Sequence, residues 1–487
     1  MLSLSLSLVS AALAAPADVE LAFDASTQVV ADLAWDRAPE DRLESWTRLR
    51  ADAAGPAGRG RWKLGVYGEH QLLVGWPEAG GDVEAAWDLR PWASGWEGPV
   101  GPVRVKAGHL IERWGKLDLL PVTDVLMGRD LRAGLLTPAD LVRQPAPLVR
   151  VQAGVDRARA ELTVLPFGAA DRIALEGTDY ALIRQGQLAG ALREASTWPG
   201  DALTTAQTQA AAAALAEGVD ALDHSLRRGA FSALSQSGRP DPLLGSVDVA
   251  ARLEAEPGRM DVAVVGAWLR SRQPLLVGPD GLADLLQEQR LPGVADAEDL
   301  TAALASPVAA RWPRTGFAGV ELAGTAGAFG LRAESAWRSH KPVPRAWLQG
   351  ATRPAVAAGV GVDRAWGTSV LLVLEGRYER TFDLPADALL AVRDDWQVGL
   401  GGRVGLAGER VQVEPGAVGL LSFGEVGARL QATWRVTDAW ELAGGGLLLL
   451  SDATAPRSLD EAIAFRGGPV GALGDTDAAW LTLRCIQ

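Results

Sequence analysis

Alternation of apolar and polar residues with a period of two, sustained over long segments, is the feature that most restricts how this chain folds. Between residues 62 and 76, Trp62, Leu64 and Val66 begin a run of mostly apolar even positions, and the odd positions between them are mostly polar or glycine. A pleated strand places these two sets on opposite faces. We therefore predict that the even positions lie on one face and the odd positions on the other. In a soluble sandwich the polar face would meet bulk water, and in a membrane barrel the even positions would face lipid and the odd positions the lumen.

The same alternation recurs in further segments, including 83–90, 247–254, 396–406 and 426–436. Each segment is about 9 to 15 residues long, whereas globular strands average about 5 to 6. A tilted strand that crosses a membrane needs about 9 to 11 residues. Short turn sequences separate the segments, which is typical of hairpins. The pattern predicts an all-β fold, a single up-and-down transmembrane β-barrel of roughly 14 to 16 antiparallel strands.

Three longer interruptions break the strand pattern, near 170–240, 274–314 and 451–469. The Ala-rich run within 201–228 predicts a helix, and two shorter helical stretches are predicted within 274–314. Long loops with helical insertions fit the external loops of a barrel, or a constriction folded into its lumen.

The N-terminus carries the only apolar run that resembles a targeting segment. An apolar stretch of about 14 residues ends at Ala12-Leu13-Ala14, which has the form of a secretory signal with its cleavage site. We predict a signal peptide over 1–14 and a barrel over 15–487, with a buried N-terminal segment as the alternative. The net charge of −13 argues against a nucleic-acid partner and against a polybasic lipid-docking patch.

Tryptophan is the dominant aromatic residue, with 18 copies against 8 Phe and 3 Tyr. Many of these tryptophans fall near the predicted strand ends. Trp favours the membrane interface, where its ring lies among apolar groups and its N–H remains hydrated. The pattern therefore favours a membrane barrel over the alternative, a soluble protein with a Trp-rich core.

One segment that is not a strand carries a family signal. It contains Trp114-Gly115, Asp124-Val125-Leu126 and Arg129-Asp130, and further on Glu161 to Phe167 forms a strand ending in Pro-Phe. The segment resembles a loop found in porin-like bacterial outer-membrane β-barrel proteins, many of them uncharacterised. Their pattern is Trp-Gly followed by Asp-x-hydrophobic-Asn-Pro-x-Asp, and here Met127-Gly128 stands in place of Asn-Pro. The resemblance implies a bacterial outer-membrane location, with the lipid bilayer as a partner.

Charged residues suggest two sets of candidate pore residues. Rings of fixed charge in a narrow lumen select ions or solutes. The loop set, with both signs close together, comprises Asp118, Asp124, Arg129, Asp130 and Arg132. The strand set is a series of arginines predicted to face the lumen, comprising Arg90, Arg252, Arg332, Arg377, Arg403, Arg429 and Arg435. The alternative for both sets is ordinary ion pairing that only fixes the fold.

Signals of catalysis are weak. The histidines His70, His109, His224 and His340 lack the spacing of a metal site, and the chain has no Gly-x-Ser-x-Gly or phosphate-binding loop. Asp223-His224-Ser225 are adjacent in sequence and do not point at one another on a helix. We predict no enzyme, no cofactor and no metal. The sequence favours an outer-membrane channel for small polar or ionic solutes, and leaves homo-oligomerisation open. A secreted or periplasmic β-rich binding or structural protein is the main alternative, ahead of an outer-membrane enzyme or export component.

Overall fold

The fold is built almost entirely from long antiparallel strands. The computed structural model describes residues 19–32, 42–75, 83–138, 140–174, 221–228, 247–277, 309–346, 349–453, 465–473 and 477–486. The strands are β1 Glu20–Asp32, β2 Arg42–Ala57, β3 Gly60–Gly75, β4 Val83–Val100, β5 Val103–Leu110, β6 Ala146–Val155, β7 Ala158–Leu165, β8 Asp248–Ala255, β9 Met260–Arg270, β10 Leu275–Val277, β11 Ala309–Arg311, β12 Arg314–Ala326, β13 Phe329–Arg345, β14 Gln349–Trp366, β15 Val370–Thr381, β16 Asp394–Leu406, β17 Val411–Leu420, β18 Glu425–Arg435, β19 Trp440–Leu450 and β20 Ala478–Ile486.

Eighteen of these strands form one closed barrel. Each barrel strand pairs with the next along the chain, and β9 pairs with β12, while β10 and β11 form a separate two-stranded antiparallel sheet. The barrel closes where β20 pairs with β1, from Asp24 opposite Ile486 to Asp32 opposite Ala478. The predicted all-β up-and-down barrel is confirmed, with 18 strands rather than 14 to 16. The first two strands are poorly alternating because β2 runs through Ala51-Asp52-Ala53-Ala54-Gly55, which explains part of the undercount.

The outer surface of the barrel is an apolar band. On β3, Leu64 and Val66 are 61% and 51% exposed, whereas Tyr67 and Glu69 are 2% and 4% exposed. The alternation predicted for this strand is confirmed. The large exposed side chains on most strands are Leu, Val and Trp. The outer face therefore has few groups that can form hydrogen bonds with bulk water.

Exposed aromatic rings border this band on both sides. Trp366, Trp434 and Trp440 lie near one end of their strands, Trp268 and Trp396 lie near the other, and Trp337 lies at the midpoint of β13. Trp337 pairs with Val356, ten positions before Trp366 on β14. At about 3.4 Å per residue and a tilt near 45°, the two rings are roughly 24 Å apart along the barrel axis, close to the height of an apolar band in outer-membrane barrels. Two tryptophans expected near strand ends are instead buried inside the barrel, Trp92 and Trp114.

The two ends of the barrel differ in their connections. At one end, the short-turn end, strands are joined by two to four residues, and at the other, the long-loop end, the connections include 111–145, 166–247 and 271–313. Glycines with positive φ, such as Gly58 and Gly327, form the tightest turns because no Cβ resists that backbone conformation.

Several sequence predictions concern residues beyond those described. The signal peptide at 1–14 and the two helical stretches of 274–314 lie outside the described residues. Of the helix predicted over 201–228, residues 221–227 are described and are helical. Across the described part of the chain, no helix is both long and apolar enough to cross a bilayer.

Candidate functional site

The connection between β5 and β6, residues 111–145, folds into the interior of the barrel, and we call it the lumen loop. Its backbone bonds to Glu321 on β12, Glu334 on β13 and Glu375 on β15. These carboxylates are buried, on the face of their strands opposite the exposed apolar residues. A connection that starts at β5 therefore reaches across the lumen to the far wall.

Glu375 holds the tip of the lumen loop. Its two carboxylate oxygens accept the backbone N–H groups of Asp118, Leu119 and Leu120 at 2.7–2.9 Å. Three successive N–H groups directed at one carboxylate form an anion-binding concavity. A carboxylate with several charge-assisted hydrogen bonds holds the backbone far more firmly than a neutral acceptor does.

Glu334 holds the loop on both sides of that tip. One oxygen accepts the N–H groups of Lys116 and Leu117, and the other accepts those of Val122 and Thr123 at 2.8 Å and the Thr123 hydroxyl at 3.0 Å. The same hydroxyl lies 3.0 Å from Glu321, which also accepts the N–H of Gly115 at 3.1 Å. The loop backbone is thus satisfied by wall carboxylates in place of neighbouring strands.

An apolar core lies beneath the lumen loop. Leu117, Val122 and Leu126 are completely buried, in a cluster that includes wall residues of β6, β7, β9 and β12. Inward-facing glycines make room for this layer, since a Cβ at Gly359 would lie 2.6 Å from Leu117. Glycine allows the loop to approach the strand backbone closely.

The charged residues predicted for this loop are mostly paired within it. Asp124 accepts two hydrogen bonds from Arg143, at 2.7 and 3.0 Å, and Arg129 lies 3.6 Å away. Asp130 accepts two from Arg132 at 2.6 and 2.9 Å. For Asp124, Asp130 and Arg132 the geometry therefore favours the alternative of ion pairs that fix the fold.

Asp118 is the most exposed carboxylate of the predicted loop set. It bonds to Arg113 of the loop and to Arg332 of β13. Partial burial favours the neutral acid, but the two guanidinium groups outweigh it and lower the pKa of Asp118. The carboxylate therefore stays ionised and ties the loop tip to the wall.

The predicted arginine series lies on the inner face of the barrel, but its members have different surroundings. Arg252 bonds to Glu321 at 2.7 Å, and Arg377 bonds to Glu379 at 2.7 Å. Arg90 packs over the rings of Tyr67 and Trp92. Two further members of the series, Arg403 and Arg435, lie near the short-turn end and are exposed. Ion pairs along the wall thus hold most of the series, and among the described residues no carboxylate lies within ion-pair distance of Arg403 or Arg429.

Between the lumen loop and the opposite wall remains a cavity of about 400 Å³, which we call the lumen cavity. The loop contributes an apolar and acidic side, and β1, β2 and β17–β20 contribute a largely polar side. Its charged lining residues are Asp24, Arg48, Arg50, Asp140, Glu414, Arg429, Glu441 and Arg484. Only Arg429 was in the predicted set. Most of the others lie on the terminal strands or at the end of the loop.

Arg429 differs from the other cationic residues of the lumen cavity. Arg484 is bonded to Asp24 at 3.0 Å, and Arg50 lies 3.0 Å from Asp52. Arg429 instead bonds to the amide of Gln431 and stacks over the ring of Trp480, 5.1 Å from its centre. Its Nε atom is buried without an acceptor. Among the described residues, it has no carboxylate within ion-pair distance.

A second segment of the long-loop end is held by the same device as the lumen loop. The buried carboxylate of Glu425 accepts the N–H groups of Gly468 and Val470 at 2.8 and 3.0 Å. The predicted loop 451–469 thus reaches the wall in its described part, and 454–464 lies outside the described residues. The sequence places Glu334 and Glu375 among the acids opposite the arginine series but does not reveal that these glutamates anchor a loop, since a glutamate in an alternating strand carries no sign of its distant partner.

The buried carboxylate Asp171 lies beside the lumen loop, in the connection after β7. It accepts the backbone N–H of Arg129 at 2.8 Å. Burial raises the pKa of Asp171 to about 6, although this hydrogen bond opposes the shift. Burial likewise raises the pKa of Asp130, even with Arg132 beside it.

The three residue types of a catalytic triad occur together at 223–225. Asp223 lies on the helical turn 221–227 and pairs with Arg227, 2.5 Å away. Within the described residues, no three metal-ligating side chains come together.

No protein-family model matches the chain, and no curated protein matches it. Among solved structures, a BenF-like porin from Pseudomonas fluorescens Pf-5 is 8% identical, with 96% of this chain and 98% of that chain covered and a TM-score of 0.47. Pseudomonas aeruginosa OccK7 (OpdD) is 11% identical, with 96% and 98% covered and a TM-score of 0.44. Pseudomonas aeruginosa OccK5 (OpdH) is 8% identical, with 96% and 97% covered and a TM-score of 0.44. At these identities and scores, the fold rests on the strand pairings described above rather than on the likeness to porins.

Proposed function

We propose that this protein is a bacterial outer-membrane channel through which small polar or ionic solutes diffuse. The observation that carries the proposal is the lumen loop, which crosses the interior of a closed barrel and borders the lumen cavity of about 400 Å³. A barrel of this strand number without an inward loop encloses a wide aqueous lumen. An apolar outer band bordered by aromatic rings supports a membrane location.

The lumen cavity has the chemistry of a selective passage. Opposed charges act there at close range in a restricted aqueous space, where screening by salt is incomplete. Arg429 supplies a guanidinium without a carboxylate partner among the described residues, next to the polar side chains of Gln431 and Thr433. We expect it to favour negatively charged solutes, since the ion-paired arginines are already neutralised by their partners.

Reversal potentials in planar bilayers test this role. Under a KCl gradient, Arg429→Gln should shift the reversal potential towards cation preference relative to wild type. Arg104→Gln is the matched control, because Arg104 is exposed next to a turn at the short-turn end and pairs with Glu97 at 2.9 Å, and neither residue lines the lumen cavity. An unchanged reversal potential in Arg429→Gln, at equal folded yield, would remove Arg429 from the conducting path.

The main alternative is a secreted or periplasmic β-rich protein that never enters a bilayer. Exposed Leu89, Val360 and Leu253 on separate strands argue against that alternative, since water penalises such a continuous apolar surface. Heat-modifiable mobility on a detergent gel, together with channel activity after reconstitution, distinguishes the two. A protein that stays soluble and monodisperse without detergent would refute the membrane proposal.

A further inference from the structure

One arginine lies on the outer face of the barrel rather than in its lumen. Arg364 on β14 pairs across the sheet with Phe329 on β13 and Leu372 on β15, both of which are exposed. Its exposed apolar neighbours also include Leu331 and Trp366. A charged side chain in this position borders the apolar band and lies two residues from the short-turn end of its strand.

Two aromatic rings hold the guanidinium in place. The Cζ atom of Arg364 lies 4.7 Å from the ring centre of Trp366 and 5.0 Å from that of Phe329. Stacking of this kind orients a planar guanidinium without using its N–H donors. Among the described residues, Arg364 has no carboxylate partner, and its Nε atom is buried without an acceptor. The side chain is therefore preorganised and still has donors to offer.

We propose that Arg364, Phe329 and Trp366 form a binding site for the phosphate of an anionic phospholipid in the membrane leaflet at the short-turn end. Short turns mark the periplasmic side of outer-membrane barrels, and aromatic belts mark the depth of the headgroups. A phosphodiester presents two acceptor oxygens, which match the fork of a guanidinium. The acyl chains then lie along Leu331 and Leu372 on the apolar band.

The surroundings favour an anionic lipid over a zwitterionic one. The neighbours of Arg364 on the outer face are apolar or aromatic, so a lipid ammonium group finds no carboxylate among them. Asp363, the nearest acid along the chain, alternates to the inner face and pairs with Arg332 at 2.8 Å. The Phe329 and Trp366 rings are already occupied by the guanidinium and leave no empty cage for an ammonium.

Native mass spectrometry of the detergent-solubilised protein tests the site, with phosphatidylglycerol and phosphatidylcholine as probes. Wild type should bind the first phosphatidylglycerol about fivefold to tenfold more tightly than phosphatidylcholine, as one arginine at a membrane surface allows. Arg364→Gln and Arg364→Met should remove that preference, and Arg364→Lys should retain part of it. Methionine removes the charge but keeps an apolar side chain between the rings. Arg364→Met can therefore be measured if Arg364→Gln folds poorly.

Arg380→Gln is the matched control. Arg380 also faces outward, on β15 near the long-loop end, but it lies 3.6 Å from Asp394. It should leave phosphatidylglycerol binding unchanged. The site would be refuted by wild-type binding in Arg364→Met, by equal loss in Arg380→Gln, or by no lipid preference in wild type. Conductance of Arg364→Met in neutral bilayers should equal that of wild type. The lipid-site proposal and the channel proposal can therefore be refuted separately.

Discussion

Replacing Glu334 with glutamine tests whether wall carboxylates hold the lumen loop across the channel. Each oxygen of Glu334 accepts hydrogen bonds from a different part of the loop. The glutamine amide has only one oxygen, so its NH₂ group must face N–H or O–H donors in place of the other oxygen and cannot accept from them. If the NH₂ replaces the oxygen that faces Lys116 and Leu117, both of those hydrogen bonds are lost. At about 1.5–3 kcal/mol for each bond to a charged acceptor, the loop loses roughly 3–6 kcal/mol of local stability.

A loop weakened to this degree should leave the lumen part of the time. We expect Glu334→Gln to give larger and noisier single-channel currents than wild type. We also expect faster trypsin cleavage after Arg113 and Lys116, because release of the loop from the lumen gives the protease access to the loop backbone. Both changes should appear while the barrel itself stays folded, as judged by heat-modifiable mobility.

Glu256→Gln is the control, because Glu256 is an exposed turn residue that pairs with Arg159 at 2.9 Å. An exposed ion pair of this kind contributes under about 1 kcal/mol, so currents and cleavage should match wild type. Wild-type conductance and wild-type protease resistance in folded Glu334→Gln would show that the carboxylate does not hold the loop.

Three further predictions address the wall, the close packing and the pH dependence. Leu430→Arg, at the middle of β18 on the outer face, should destabilise the barrel by about 2–4 kcal/mol in urea titrations in lipid, and Ala443→Arg in the lumen cavity by far less. Gly359→Ala should displace Leu117 at a cost of about 1–3 kcal/mol and raise trypsin cleavage of the loop, whereas Gly376→Ala, which meets no atom within 4 Å, should not. Because the folded pKa of Asp171 is about 6 and its unfolded value is lower, the native state binds the proton more tightly, so local stability should rise by up to about 3 kcal/mol as the pH falls from about 6 to about 4. Hydrogen exchange at the Arg129 amide should show this rise in wild type, and its persistence in Asp171→Asn would contradict the assignment.

The assignment of residues to the outer or inner face of a strand is the part of the fold that the sequence predicts best. Where alternation is strong, as in β3 and β18, the outer and inner faces follow directly from residue parity. Where β1 and β2 are rich in Ala, Ser and Asp, parity carries little signal, and the barrel has more strands than the pattern predicts. Those same strands provide Asp24, Arg48 and Arg50 to the lumen cavity, which is why sequence reasoning missed most of its lining.

The role of individual charges depended on long-range partners. Asp124 and Asp130 stand out in the sequence as candidate pore residues, but Arg143 and Arg132 pair with them in the folded loop. Arg429 looks like any other inward arginine until its neighbours are known. Spacing along the chain reports the face of a strand and the sign of a charge, but not whether that charge is already neutralised.

The sequence by itself determined that this chain forms a long-stranded antiparallel barrel with an apolar exterior, because strand periodicity and turn residues are local properties. Only the tertiary structure decided that the segment after β5 lies inside that barrel. Its path is set by Glu321, Glu334 and Glu375, which lie about 200 or more residues further along the chain and come within hydrogen-bond distance only after the barrel has closed. The hydrogen bonds that hold the loop go to buried carboxylates, and local sequence cannot reveal which distant backbone groups those carboxylates bind.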